Sequence, residues 1–181
     1  MTEGIMKRKT ATTAALCLLI VALIALAIAP AASAKATRMP VKLSEVFVSS
    51  TPTAYKETGG VAHIEFDNVF YDTSPTHDPT AEGWTYTHLY AVATLVDGVP
   101  TDSVMRGTAR RETLDGSVWE GKFAGTMNLD PDVLTWACIC VGKGVSGPCA
   151  GWIFVSWNVK AEAGPFAAAD ITGWAMAPHG L

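Results

Sequence analysis

The sequence predicts an all-β fold, a single antiparallel β-barrel of about eight strands that follows a cleaved signal peptide. Apolar and polar residues alternate with a period of two in several segments, no segment shows a convincing helical period, and turn-forming dipeptides separate the segments. A β-sandwich is the alternative, because this pattern also fits two packed sheets. Consecutive hairpins and glycines within strands favour the barrel, since closure of a curled sheet removes exposed strand edges.

The N-terminal 34 residues have the layout of a secretory signal peptide. Three cations at residues 7–9 precede a charge-free apolar run from about Ala14 to Ala29, and the segment ends in Ala32-Ser33-Ala34. This layout predicts cleavage after Ala34 and a secreted or extracytoplasmic protein. An uncleaved anchor is the alternative, because residues 11–34 approach the roughly 20 residues that span a bilayer. The break at Pro30 and the small-residue ending favour cleavage.

The mature chain, residues 35–181, is expected to be one soluble domain. Its 147 residues are enough for a single hydrophobic core, and no second apolar stretch is long enough for stable membrane insertion after cleavage. Residues 1–34 hold three of the 13 cations and one of the 17 acids, so ten cations and 16 acids remain and the net charge is about −6. A nucleic-acid partner is disfavoured, because only Arg106, Arg110 and Arg111 form a basic group. The oligomeric state is left open.

The first three predicted strands are separated by clear turn and loop signals. Val41 to Val48 precedes a turn-rich interval around Thr51-Pro52 and Gly59-Gly60. Val61 to Tyr71 alternates apolar and polar residues, as a half-buried strand does. Residues 72–83, rich in Pro, Ser and Thr, predict an exposed loop. Trp84 to Asp97 is rich in β-branched and aromatic residues and ends in the turn signal at residues 97–98.

The next two predicted strands, Val104 to Leu114 and Ser117 to Leu129, flank the strongest hairpin signal. Asp115-Gly116 accepts the positive φ angles of a type I′ turn. Gly121 and Gly125 lie on the apolar face of the second strand, which predicts that this strand curls strongly.

The last predicted strands form a hairpin across a Gly-rich turn and one further strand. They are Val133 to Val141, Gly151 to Ala161 and Phe166 to Met176. If the hairpin turns at residues 144–145, Cys140 and Cys149 lie opposite each other, and we expect them to form a disulfide, as cysteines of small exported domains commonly do. A shift of register would select Cys138 instead. A zinc site is not expected, because Cys138-Ile-Cys140 does not match the usual Cys-x₂₋₄-Cys spacing.

Trp84, Tyr86, His88 and Tyr90 are the predicted ligand-binding residues. Alternate positions on a strand place all four on one face, as an aromatic strip that can stack on sugar rings or line the lumen of a barrel. The competing interpretation is a core face with the Tyr hydroxyls at its rim. The six tryptophans of the chain favour it, because most of them must lie in the core of a domain of this size.

The motifs of nucleophilic, metal-dependent and nucleotide-binding enzymes are absent from the sequence, and no catalytic residue is assigned. The first hypothesis is therefore an exported, non-enzymatic β-barrel domain, without a cofactor, that binds a small apolar or aromatic ligand or a surface partner. One alternative is a small extracytoplasmic isomerase or hydrolase with His88 or Glu65 as acid/base in the lumen. A buried group with a shifted pKa in an open cavity would favour that alternative. The other is a purely structural envelope component.

Overall fold

The computed structural model describes residues 37–130, 134–162 and 167–178. The predicted signal peptide, residues 1–34, lies outside these described residues, as do Val133 and Phe166, where two predicted strands begin. Among the described residues, no helix is long and apolar enough to cross a membrane.

Eight antiparallel strands form one sheet that closes into a ring. Each strand pairs with the next strand along the chain, and the last pairs with the first. The strands are β1 (Arg38–Thr58), β2 (Val61–Thr73), β3 (Gly83–Val96), β4 (Val99–Thr113), β5 (Val118–Asn128), β6 (Thr135–Ser146), β7 (Ile153–Lys160) and β8 (Ala169–Met176). The all-β prediction and the eight strands are confirmed, and the strands belong to one sheet rather than to the two sheets of a sandwich.

β1 is much longer than the predicted first strand. The predicted turn at Thr51-Pro52 is wrong, because these residues continue β1 and pair with β2. The pairing shifts register between Phe47 and Ser49 and again between Pro52 and Ala54. Pro52 has no backbone N–H, and such a residue is tolerated best at an irregularity of this kind. The turn at Gly59-Gly60 is confirmed, and both glycines have positive φ angles, 61° and 80°.

The two Asp-Gly dipeptides form different turns. Asp97 and Gly98 both have positive φ angles, 51° and 80°, and join paired residues of β3 and β4 as a two-residue type I′ loop does. At Asp115-Gly116 only the glycine has a positive φ, 82°, and Thr113 N donates to Ser117 O at 3.0 Å, so the loop has three residues. The predicted type I′ turn is wrong there. The Asp115 carboxylate instead accepts hydrogen bonds from Thr113 Oγ1 at 2.6 Å and Ser117 N at 2.9 Å, which hold the wider loop.

Alternate residues of the strands face the interior of the ring, where the core lies, whereas the C-terminal half of β1 is exposed on both faces. One buried cluster comprises Leu89, Ala91, Met105, Phe123 and Cys140, and a second comprises Ala62, Ile64 and Ala93. Ala62 and Ile64 of the second cluster lie on the face of Val61 to Tyr71 that the alternating pattern marks as buried, so the half-buried strand is confirmed.

Gly125 allows β5 and β6 to approach each other closely. A Cβ atom added to it would lie 2.0 Å from Ala137 O and 2.6 Å from Cys138 Cα, both in the backbone of β6. A real Cβ does not come this close to backbone atoms, so any side chain at residue 125 must displace a strand. The glycine therefore supports the local curvature of the closed sheet.

Replacing Gly125 by Ala should destabilise the fold by roughly 2 kcal/mol, as forced overpacking of a core commonly does. Urea unfolding would measure this as a lower midpoint with an unchanged slope. Ala124→Ser, at the neighbouring exposed position of β5, is the control and should change the free energy of unfolding by less than about 0.5 kcal/mol. Equal effects of the two substitutions would contradict the close approach at Gly125.

Candidate functional site

The interior of the closed sheet contains a cavity of about 550 Å³. This volume is within the roughly 300–1,000 Å³ of typical small-molecule sites. Most of its lining is aliphatic or aromatic. The aromatic members contributed by β1, β2, β5, β6 and β7 are Phe47, Phe66, Phe70, Trp119, Phe123, Trp136 and Phe154. The wall can therefore remove a large apolar surface from water.

Glycines on the inner face leave room for two of these rings. A Cβ atom at Gly107 would lie 2.5 Å from Phe123 Cζ, and one at Gly142 would lie 2.5 Å from Phe154 Cε1. Phe154 also packs edge to face on Trp119, with ring centroids 5.5 Å apart. The aromatic rings of Phe123 and Phe154 thus occupy the space that side chains at the two glycines would fill. The middle of the closed sheet stays open.

A buried ion pair lies at one place in this apolar interior. Asp72 of β2 is 0% exposed, and its Oδ2 lies 2.7 Å from Arg111 Nη2 of β4. The Thr85 hydroxyl of β3, between the two, donates to the same Asp72 oxygen and accepts from Arg111 Nε at 3.1 Å. Three consecutive strands therefore hold one compensated pair of charges.

Glu45 of β1 is an additional carboxyl group beside this ion pair. It lies opposite Asp72 in the β1–β2 pairing, is only 5% exposed and lines the cavity. Burial, and next the nearby Asp72 carboxylate, raise the pKa of Glu45 from 4.5 to about 8, although Arg111 partly opposes them. Glu45 is thus a neutral acid at pH 7 and can donate a hydrogen bond into the cavity.

The second oxygen of Asp72 has no hydrogen-bond partner among the described residues. Asp72 Oδ1 is buried, whereas Oδ2 makes the contacts with Thr85 and Arg111. Buried polar atoms are satisfied in most proteins, so an unsatisfied one is a feature to explain. This unsatisfied oxygen belongs to the residue that lies opposite Glu45 in the β1–β2 pairing.

The segment between β2 and β3 covers part of the cavity. Its residues Ser74, Thr76 and Asp78 contribute to the lining, and Glu82 Oε1 accepts a hydrogen bond from Ser74 N at 2.9 Å. Asp115 N donates to Pro79 O at 3.0 Å, which ties the segment to the β4–β5 turn. The loop prediction for residues 72–83 is confirmed in its middle, but Ser74 and Glu82 are buried, so the loop is not exposed throughout.

The predicted aromatic strip shares one face, and that face is the outer surface of the sheet. Trp84 and Tyr86 are each 41% exposed, and none of the four residues is among those that line the interior cavity. His88 Nδ1 lies 2.8 Å from Asp67 Oδ1, and Tyr90 Oη lies 2.7 Å from His63 Nδ1. The strip thus lines neither a lumen nor a core, and its role in ligand binding stays a prediction.

The predicted Cys140–Cys149 disulfide does not form, and all three described cysteines are free thiols. The predicted turn at residues 144–145 is wrong, because Lys143 pairs with Ile153 and the hairpin turns later in the chain. This register places Cys140 opposite Ser156 and leaves Cys149 in the connection between β6 and β7. Burial raises the pKa of Cys138 to about 12 and that of Cys140 to about 11, so both are poor nucleophiles.

Sequence reasoning missed Glu45, Asp72 and Arg111. One signal was present, since Glu45 stands between Leu43 and Phe47 on the apolar face of its strand. Asp72 was assigned to the loop, and Arg111 was grouped with two other arginines as a basic patch. Their proximity depends on strand pairing, which the pattern of single strands does not give.

A scan against protein-family models finds no match, and searches of curated proteins and of solved structures find no similar protein. Among the described residues, no group of three or more His, Cys, Asp or Glu side chains is placed to hold a metal ion.

The raised pKa of Glu45 predicts a pH-dependent stability. The folded protein keeps this proton up to about pH 8, whereas the unfolded chain loses it near pH 4.5, so the unfolded state holds fewer protons between these values. Stability should therefore fall as pH rises through this window. Urea unfolding at several pH values would show the fall in the wild type and its loss in Glu45→Gln.

Glu57→Gln, on an exposed part of β1, is the matched control and should keep the wild-type pH dependence. Parallel stability curves for the wild type and Glu45→Gln would show that Glu45 is not held in its neutral form.

Proposed function

We propose that this protein is an exported, non-enzymatic β-barrel domain that binds a small, largely apolar ligand inside the barrel. The observation that supports this most directly is the interior cavity of about 550 Å³, with its largely apolar and aromatic wall and with Glu45 and Arg111 among its polar lining residues. A mostly apolar wall with a small number of convergent polar groups is the usual composition of a small-molecule site. Export rests on the signal-peptide pattern of residues 1–34.

The cavity suits an apolar ligand better than the outer aromatic strip does. The outer surface beside Tyr86 and His88 forms an open groove whose other members include Asp67, Arg110 and Lys122. Charged side chains in water lose hydration when an apolar molecule covers them, whereas the wall of the interior cavity is mostly apolar. The strip and its charged neighbours fit a polar surface partner, which is the other part of the sequence-based hypothesis.

A second candidate is the extracytoplasmic enzyme, and Glu45 is the observation that favours it. A buried carboxyl with a raised pKa that lines a cavity is a common feature of acid/base catalysts. The acid/base would be Glu45, because His88 and Glu65 lie on the outer surface. The two candidates differ in one respect, since a binding protein releases its ligand unchanged and an isomerase or hydrolase releases a product.

Native mass spectrometry of the mature chain, purified from the exporting host, tests binding. A small molecule should be retained under native conditions and released by denaturation. Ala109 lines the cavity, so Ala109→Phe should fill part of it and reduce the retained fraction at least tenfold. Trp84→Ala, on the outer strip, should retain the ligand as the wild type does.

Circular dichroism would verify that both variants fold. Loss of the ligand in Trp84→Ala but not in Ala109→Phe would move the site to the outer strip. Absence of any bound molecule, together with no binding of an added neutral fluorophore such as N-phenyl-1-naphthylamine, would reject a binding cavity. Conversion of the released molecule on incubation with fresh protein would favour the enzyme.

A further inference from the structure

Glu45 is a carboxyl group that faces the cavity without a hydrogen-bond partner among the described residues. It lines the cavity and is 5% exposed, and its neighbours in the pairing are Asp72 on β2 and Ala169 on β8. Ala169 offers no polar side chain. A buried carboxyl in an apolar wall is costly unless a partner satisfies it, so this position points to a ligand group.

The charged and titratable groups around Glu45, together with its burial, determine whether it is protonated. Asp72 and Arg111 compensate each other, and the thiols of Cys138 and Cys140 on β6 are the remaining titratable groups that interact with it. Burial and Asp72 raise the pKa of Glu45 to about 8, and both thiols keep their protons well above that pH. At neutral pH the group facing the ligand is therefore an O–H donor.

The surroundings of Glu45 exclude other ligand classes. A carboxylate ligand would bring a negative charge beside Asp72, and Arg111 is already engaged, with Nη2 on Asp72 and Nε on Thr85. A pure hydrocarbon would cover the Glu45 hydroxyl without accepting a hydrogen bond from it. A neutral molecule with an accepting oxygen satisfies the donor and adds no charge.

We infer that the ligand is a neutral, mainly apolar molecule with a carbonyl-type oxygen, and that Glu45 recognises this oxygen by donating a hydrogen bond to it. The inference rests on the proposed function, because it needs a ligand in the cavity. Glu45 is then the residue that selects the ligand class, and the aromatic wall supplies the apolar contact.

The test compares matched naphthalene probes by isothermal titration calorimetry at pH 6.5. The probes are 2-acetylnaphthalene, which has a carbonyl oxygen, 2-ethylnaphthalene, which lacks it, 2-naphthoate and 2-(aminomethyl)naphthalene. The measured quantity is the affinity of the ketone divided by that of the hydrocarbon. This ratio should be about fivefold higher in the wild type than in Glu45→Leu, the effect of one ordinary hydrogen bond.

Glu45→Gln provides the second variant. Its amide donates at every pH, so it should keep the preference for the ketone. In the wild type the preference should decline between pH 6.5 and 9.5, because ionised Glu45 has no proton to donate, whereas Glu45→Gln should show no decline. The naphthoate should bind the wild type more weakly than the ketone.

Two results would overturn the inference and leave cavity binding intact. One is an equal ketone-to-hydrocarbon ratio in the wild type and Glu45→Leu. The other is tightest binding of the amine already at pH 6.5, which would show that Glu45 is an anion where the inference needs a proton donor. If no probe binds the folded wild type, the proposed function itself fails.

Discussion

The pairing of β1 with β8 is the constraint on which the rest of the structure depends. Residues 38–45 of β1 pair with residues 169–176 of β8, and this ladder turns an eight-stranded meander into a ring. Without it, both strands would present unpaired edges, and the inner faces would enclose no space. The same ladder ends at Glu45, which has Ala169 on one side and Asp72 on the other. Closure thus places a carboxyl group in an apolar interior.

Energetic grounds argue against a purely stabilising role for the polar cluster. A buried ion pair gains little over apolar residues of similar size, because desolvation offsets most of the attraction. Glu45 adds a third ionisable group, and burial opposes its ionisation. Asp72 Oδ1 adds a buried acceptor without a hydrogen-bond partner among the described residues. Such features oppose folding, and they are common where a protein needs chemistry in a dry cavity.

The individual strands and two of the turns followed from local rules, whereas the closure of the sheet and the site did not. The period of two marked the buried face of β2, and Asp97-Gly98 and Gly59-Gly60 marked two hairpins, because each depends on residues close in sequence. The Cys140–Cys149 prediction failed because it needed the turn position, and a shift of a few residues changes every cross-strand neighbour. Asp72 and Arg111 meet through two successive pairings, β2 with β3 and β3 with β4, so no local pattern contains their contact.

The orientation of the aromatic strip also could not be predicted from the pattern of a single strand. Trp84 and Tyr86 share a face with certainty, since the side chains of a strand alternate, but alternation does not say which face is inside. In β3 the inner face carries Thr85, Leu89 and Ala91, which are smaller than the outer aromatic residues. Small residues on this strand leave room for the rings of β5 and β7 in the interior. The size of the inner side chains, strand by strand, therefore determines whether a closed sheet is filled or hollow, and the small inner face of β3 keeps this one open.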